Sequence, residues 1–369
     1  MIYLDNGATA FHKPSRVTEA VTRAFLTCAN PGRGGYRAAM EAAERVYACR
    51  EAAAELFDCQ PEQVVMTNNC THGLNIAIHS LVKSGMKVAV SGFEHNAVIR
   101  PLHSRKAKLQ IAGRKLFDWE DTLRSFEQAL DMGAEAAVFT HVSNVFGYIL
   151  PVEEMAQMCR KREIPFIVDA AQSAGRLPVK LGQLGADYIA MPGHKGLLGP
   201  QGTGLLLCGG KTEPLLYGGT GNASLSREMP EDLPERLEAG TLNVPGVAGL
   251  EAGLKHIRSV GTEKIFQREQ NQLRRCVQGL QKLGMKVFAG DHQAATVSFL
   301  PGMDCQEAAE KLAQQGIAVR AGLHCAPVAH ESAGTLETGT VRVSYGHDAS
   351  NSQTEAFLRA SAKLPRFLK

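Results

Sequence analysis

Short runs of consecutive apolar residues alternate along the first two-thirds of the chain with segments whose apolar positions recur at helical spacing. Ala42, Val46, Ala53, Leu56 and Phe57 form one such stripe and predict a helix over 41–57. A second helix is predicted over 72–82, with Thr71 near its N-terminus as a cap. Apolar runs at 88–91, 136–140, 166–169, 188–191 and 204–208 predict strands, and the patterns at 121–130 and 152–161 predict helices between them. Strands that are apolar at every position need cover on both faces. The alternation therefore implies an α/β fold with a mostly parallel sheet between two layers of helices.

The pattern changes after Gly240. A long charged helix is predicted over 262–283, followed by a strand at 295–300, a helix at 305–315, strands near 318–320 and at 340–344, and a terminal helix. This second stretch reads as a smaller α+β unit. The expected organisation is a large domain over 13–248 and a small domain built from 1–12 and 249–369.

With 369 residues the chain is long enough for two cores, and 44% hydrophobic and 21% charged residues are ordinary for a globular protein. The net charge of +3 argues against nucleic acid or an acidic membrane surface as a partner. No stretch reaches the roughly 20 apolar residues of a membrane-spanning helix, and Met1 leads into Ile-Tyr-Leu-Asp without the pattern of a secretory segment. Nine cysteines without a Cys-x-x-Cys pair predict neither a disulfide framework nor a structural zinc site, and point to the cytoplasm.

Six segments carry candidate chemistry. Lys195 leaves the 188–191 strand into a loop holding Gly193, Gly196, Gly199, Gly202 and Gly204, where a lysine can form a Schiff base with an aldehyde cofactor; a glycine-rich turn with a solvated lysine would look the same. Asp169 ends an apolar strand at the carboxyl edge of the sheet, where a carboxylate can face a pyridine nitrogen or simply cap a helix. His95 follows the 88–91 strand, in reach of an aromatic cofactor, although most loop histidines are inert. Thr71 opens a helix, an anion site or an ordinary cap. Cys325, beside His324 in a Gly/Pro-flanked loop, is a candidate sulfur nucleophile. Its thiolate would be favoured by His324, by His95 or by proton transfer from the substrate. Arg342, in an alternating strand, offers a fork for a carboxylate or for an edge salt bridge.

In order along the chain, these segments resemble the cysteine desulfurases of the class-V aminotransferases. The resemblance runs through Tyr3-Leu-Asp-Asn-Gly-Ala-Thr, Asn30-Pro-Gly-Arg33-Gly, Glu94-His95, His141-Val-Ser-Asn144, Asp169-Ala-Ala-Gln172, Gly193-His194-Lys195, Glu238-Ala-Gly-Thr241, Arg320 with His324-Cys325-Ala, and Arg342. It implies the type I fold of pyridoxal-5′-phosphate (PLP) enzymes, with a seven-stranded sheet. It also implies PLP on Lys195, Asp169 at the ring nitrogen, Gln172 at the ring hydroxyl and His95 over the ring. Thr71 and His194 would hold the phosphate, with Thr241 from the other subunit of a homodimer. Asn144, Arg342 and Arg33 would grip the carboxylate of L-cysteine or L-selenocysteine. Cys325 would take the sulfur as a persulfide for an acceptor protein.

The spacing of 17 positions from Cys325 to Arg342 is similar to that of the short-loop members. Pro192, Cys70, His72 and Leu323 depart from the family's usual residues. An aminotransferase or epimerase of the same class would need no Cys325. A nucleotide-binding module would leave the pairing of Lys195 with Asp169 unexplained, and no G-x-G-x-x-G follows the first strand. A catalytically idle sulfur-transfer scaffold would have no need of Lys195 and Cys325.

Overall fold

The computed structural model describes residues 1–32, 34–222 and 224–367. After β1 (Ile2–Tyr3) come α1 (Ser15–Thr27) and α2 (Arg37–Phe57), then β2 (Val64–Thr67), α3 (Cys70–Leu81), β3 (Lys87–Ser91), α4 (Asn96–Ser104) and β4 (Lys108–Ala112). The chain continues through α5 (Trp119–Asp131), β5 (Ala136–Thr140), α6 (Val152–Lys161), β6 (Phe166–Asp169), α7 (Leu181–Leu184), β7 (Tyr188–Pro192) and β8 (Gly204–Cys208). These strands form one sheet in the order β2-β8-β7-β6-β5-β3-β4. Its pairs from β7 to β4 are parallel, and only β8 runs against its neighbours.

Why the strands read as continuous apolar runs is visible in β5. Ala137 and Phe139 enter a core shared with Phe57 of α2, Phe126 of α5 and Met155 of α6. Ala136 and Val138 point the other way, on to Leu74 and Ile78 of α3 and Val98 of α4. Both faces are covered, so no position along the strand is free to be polar. The alternation of faces has period two, and the apolar run is what that period requires when both sides are dry.

Beyond this sheet lie α8 (Val244–Val260), α9 (Thr262–Lys282), β9 (Lys286–Phe288), β10 (Thr296–Leu300), α10 (Cys305–Gln314), β11 (Ile317–Ala318), β12 (Arg320–Gly322), α11 (Pro327–Ala333), β13 (Thr340–Ser344) and α12 (Asn351–Ser361). β12-β13-β10-β9 make a separate antiparallel sheet. Its core gathers Leu273, Val297, Phe299, Leu312, Val343 and Phe357. The N-terminal β1 pairs with β11 in parallel as a two-stranded sheet of its own, and a bridge from Asp5 to Ser344 of β13 brings the first residues of the chain to the second sheet.

The cap of α3 differs from expectation. The helix begins at Cys70, and Asn69 is its cap, with its side-chain oxygen accepting from the His72 amide at 2.9 Å. Thr71 is instead inside the first turn. Asn is among the strongest N-cap residues, so the earlier start is the favourable one.

Glu238 anchors the segment that carries Thr241. Its carboxylate takes a two-pronged ion pair from Arg50, at 2.9 and 2.6 Å, and the Met66 amide at 2.5 Å. Both side chains are almost wholly buried. Arg50→Met leaves that carboxylate without its cation and is expected to cost about 3–5 kcal/mol in urea unfolding, whereas Arg50→Met with Glu238→Gln should recover most of the loss. Equal stability of wild type and the single variant would show that the pair holds nothing in place.

Candidate active site

The carboxyl ends of β3, β5, β6 and β7 open on one edge of the large sheet, which is why residues far apart in sequence meet there. His95 follows β3, Asp169 ends β6 and Lys195 follows β7. With Thr71, Asn144, Gln172 and His194 they line one cavity of about 100 Å³. Seven of the residues singled out in the sequence thus share one space.

Lys195 is partly exposed along this cavity, yet protein surrounds it closely enough to matter electrostatically. Burial pushes its pKa down to about 8, against the pull of the Asp169 carboxylate. An amine with this pKa is neutral, and so nucleophilic, in a large fraction of molecules at mildly alkaline pH. Asp169 is itself fully buried, and desolvation raises its pKa while the Ala171 amide, Lys195 and Cys70 lower it. Reconstitution of the apoprotein with an aldehyde cofactor is therefore expected to speed up as pH rises, with a midpoint near 8. The sign follows from loss of the Lys195 proton. A stopped-flow rate that is flat from pH 6 to 9.5 would contradict it.

The histidines are neutral. His95 is pushed down to about 4 by burial and then by nearby positive charge. Its Nδ1 accepts from the Ala97 amide at 3.0 Å, so the ring proton sits on Nε2. His194 is lowered to about 4 by burial, and its Nδ1 lies 3.0 Å from the Thr9 hydroxyl. Beneath His95, the buried Glu94 carboxyl accepts from the Ser91 amide and hydroxyl and, at 2.9 Å, from the Thr140 amide. It ties the end of β3 to the end of β5, and burial pushes its pKa up to about 8.

Arg342 approaches from the small sheet, almost completely buried. It donates from Nη1 to the Asn144 carbonyl at 3.0 Å and from Nη2 to the Asp5 carboxylate. Asp5 belongs to an N-terminal segment that makes several of the site's contacts. The Gly7 carbonyl accepts from Gln172 at 2.9 Å, and Thr9 meets His194. The sequence presented this segment only as part of a resemblance; its bridging role depends on pairings more than 150 residues apart and leaves no local signal.

Cys325 is exposed, and it follows His324 in a tight loop where both residues have positive φ, 49° and 57°. Such backbone costs of order 1–3 kcal/mol per residue and survives only where surroundings enforce it. Two hydrogen bonds do so. Asn144 Nδ2 donates to the His324 carbonyl at 2.8 Å, and the Asn96 amide donates to the Cys325 carbonyl at 2.8 Å. The loop is therefore pinned beside His95. His324 itself turns inward, its Nε2 3.2 Å from the Thr340 carbonyl, and burial with the charge of Arg342 lowers its pKa to about 2. Like His95 it stays neutral and supplies no positive charge to the thiol, so of the three sources of thiolate stabilisation expected from the sequence, proton transfer from the substrate is left.

Two candidates lie elsewhere. Thr241 lines a separate cavity of about 810 Å³ with Tyr47, Arg50 and Glu238, away from Lys195 in the same chain. Arg33 falls outside the described residues.

The residues present fit PLP. Gln172 Oε1 and Asn144 Oδ1 are buried without a hydrogen-bond partner in the cavity wall, as an enclosed polar ligand requires. The first turn of α3 supplies free amides for a phosphate beside Thr71 and His194. Lys195 and Asp169 supply, in the same cavity, the amine and the buried carboxylate that the aldehyde and the ring nitrogen would need.

A large, mostly parallel sheet, a lysine beyond one strand end and a carboxylate at the next define a PLP-type α/β enzyme. The sequence matches the class-V aminotransferase family over residues 2–357, and the chain belongs to that family. A probable cysteine desulfurase of Pyrococcus abyssi is 33% identical over 100% of this chain and 95% of its own length. The apo structure of a cysteine desulfurase from Thermococcus onnurineus superimposes with a TM-score of 0.89 at 31% identity, covering 98% of this chain and 94% of that one. A cysteine desulfurase of Escherichia coli, in an S-sulfonic acid form, gives 0.83 at 26% identity over 97% and 93%. Among the described residues no helix is long and apolar enough to cross a membrane, and no cluster of side chains could hold a metal ion.

Proposed function

We propose that the protein is a PLP-dependent cysteine desulfurase that moves sulfur from L-cysteine on to Cys325 and releases alanine. The observation that carries this reading is the exposed Cys325, in a loop held by the Asn96 amide next to His95 and by Asn144, since His95 and Asn144 line the cavity that holds Lys195 and Asp169.

When bound, PLP supplies an electron sink that stabilises negative charge at the substrate Cα. Lys195 would hold the cofactor and would carry the proton between Cα and the product. Asp169 would keep the ring nitrogen protonated, Gln172 would meet the ring hydroxyl and His95 would stack over the ring. Thr71 and His194 would hold the phosphate, with Thr241 of a second copy of the chain. Arg342 and Asn144 grip the substrate carboxylate, and Arg33 adds a further contact. The Cys325 thiolate attacks the substrate sulfur, the Cβ–S bond breaks with its electron pair on the carbon side, and an S–S bond forms. The exposure of Cys325 supports transfer of the outer sulfur to an acceptor protein. The same groups take L-selenocysteine.

The 810 Å³ cavity beside Tyr47 and Thr241 supports a homodimer in which each site borrows from its neighbour. An active monomer in sedimentation at working concentration would refute this. Nine free thiols support a cytoplasmic location. The division into 13–248 and 1–12 with 249–369 is supported by the two separate sheets.

The test is release of alanine and sulfide from L-cysteine by the purified holoenzyme. Stoichiometric release supports the reading. Transamination or racemisation without sulfide would replace it with another class-V activity.

A further inference from the structure

Cys70 stands where the first turn of α3 meets the carboxylate of β6. Its backbone opens the helix, while its side chain reaches across to Asp169, with Sγ 3.4 Å from Oδ1. The Ala171 amide donates to the same oxygen at 2.8 Å. Among the described residues, every hydrogen bond recorded for this carboxylate ends on Oδ1, and Oδ2 is left without a protein donor. Cys70 and Asp169 are only 7% and 2% exposed, so the arrangement is set by protein rather than by bulk water. Both line the cavity in which Gln172 Oε1 is buried without a partner.

The thiol stays protonated here. Burial raises its pKa well above the ordinary value, and the negative charge of Asp169 raises it further. A protonated thiol beside a carboxylate is a donor, but a weak one. A hydroxyl in its place would make a shorter, stronger bond to Oδ1 and would draw negative charge away from Oδ2.

We propose that Cys70 is a positioning residue for Asp169: its thiol pins Oδ1, which presents Oδ2 to the cofactor's ring nitrogen, and its weakness as a donor keeps that carboxylate basic. The proposal rests on the PLP reading above. It gives a role to a residue where the chain departs from its family's usual one, and it joins the phosphate end of the site to the ring-nitrogen end through a single residue.

The test compares wild-type holoenzyme with Cys70→Ser and Cys70→Ala. PLP dissociation constants, kcat and KM are measured, and the ring nitrogen is observed by NMR with isotope-labelled PLP. Cys70→Ala loses the pin and is expected to weaken PLP binding about fivefold, the scale of one lost neutral hydrogen bond. Cys70→Ser keeps the pin and should bind PLP within about twofold of wild type. Its ring-nitrogen signal should move toward that of neutral pyridine, and its kcat should fall about threefold at unchanged KM. Since serine is nearly the same size as cysteine, the Ser variant keeps the test open if Ala unfolds. Wild-type values for PLP affinity, ring-nitrogen signal and kcat in both variants would overturn the role of Cys70 alone. A wild-type protein that binds no PLP would overturn the functional reading and this proposal with it.

Discussion

Lys195→Ala is expected to lower L-cysteine turnover by on the order of 10²–10⁴-fold even with PLP in excess, the range over which a positioned proton carrier contributes. The purified variant should also lose its visible absorption on dialysis. Both effects come from one amine. In the proposed reaction its nitrogen anchors PLP, and the same nitrogen, which shares a cavity with the Asp169 carboxylate, moves the Cα proton afterwards. Added small amines could restore part of the proton transfer but not the anchoring, so rescue by methylamine should raise turnover without making PLP resistant to dialysis. Turnover within tenfold of wild type, or a visible band that survives dialysis, would show that another lysine does this work.

Cys325→Ala is expected to reduce alanine formation from L-cysteine by on the order of 10³-fold or more, as removal of a nucleophile does elsewhere. The PLP spectrum should be unchanged. The C–S bond needs an acceptor for its sulfur, and the loop held by Asn96 and Asn144 presents this exposed thiol beside His95. The remaining cysteines are buried or only partly exposed. Selenium leaves carbon more readily, so the same variant should retain measurable cleavage of L-selenocysteine. Equal loss on both substrates would point to a structural defect in the loop. Full activity on L-cysteine would remove Cys325 from the chemistry.

Much of the large sheet was legible because its strands are buried on both faces. Three predicted strands, 136–140, 166–169 and 204–208, coincide with β5, β6 and β8. β4 was not legible for the opposite reason. It is an edge strand whose Leu109 and Ile111 remain partly exposed, so Lys108-Leu-Gln-Ile-Ala carries no long apolar run. α4 was hidden by Pro101 within it and by its cap at His95, which reads as a loop residue.

α8 was hidden by Gly246, Gly249 and Gly253, which argue against a helix on propensity. The structure gives the reason for two of them. A Cβ on Gly253 would overlap the Leu197 carbonyl, and one on Gly249 would press on Pro200. The helix thus lies directly on the turn that follows Lys195, and that close packing overrides propensity.

His95, Asp169, Lys195 and Thr71 were legible because each sits beside the end of a strand or the start of a helix, where a polar residue interrupts an apolar pattern. What joins them was not. The contacts of Asp5 with Arg342 and of Gly7 with Gln172 span the whole molecule, and the bond from Cys70 to Asp169 depends on how two elements cross. Thr241 is a different case, since the cavities it lines do not include its own Lys195.

The central claim is that Cys325 takes the substrate's sulfur at a PLP site. Mass spectrometry of the holoenzyme after one turnover of L-cysteine, with no reductant present, tests it most directly. The account predicts one added sulfur atom on the peptide containing Cys325 and an equal amount of alanine. Alanine formed while that peptide keeps its original mass, or an added sulfur on a different cysteine, would contradict it.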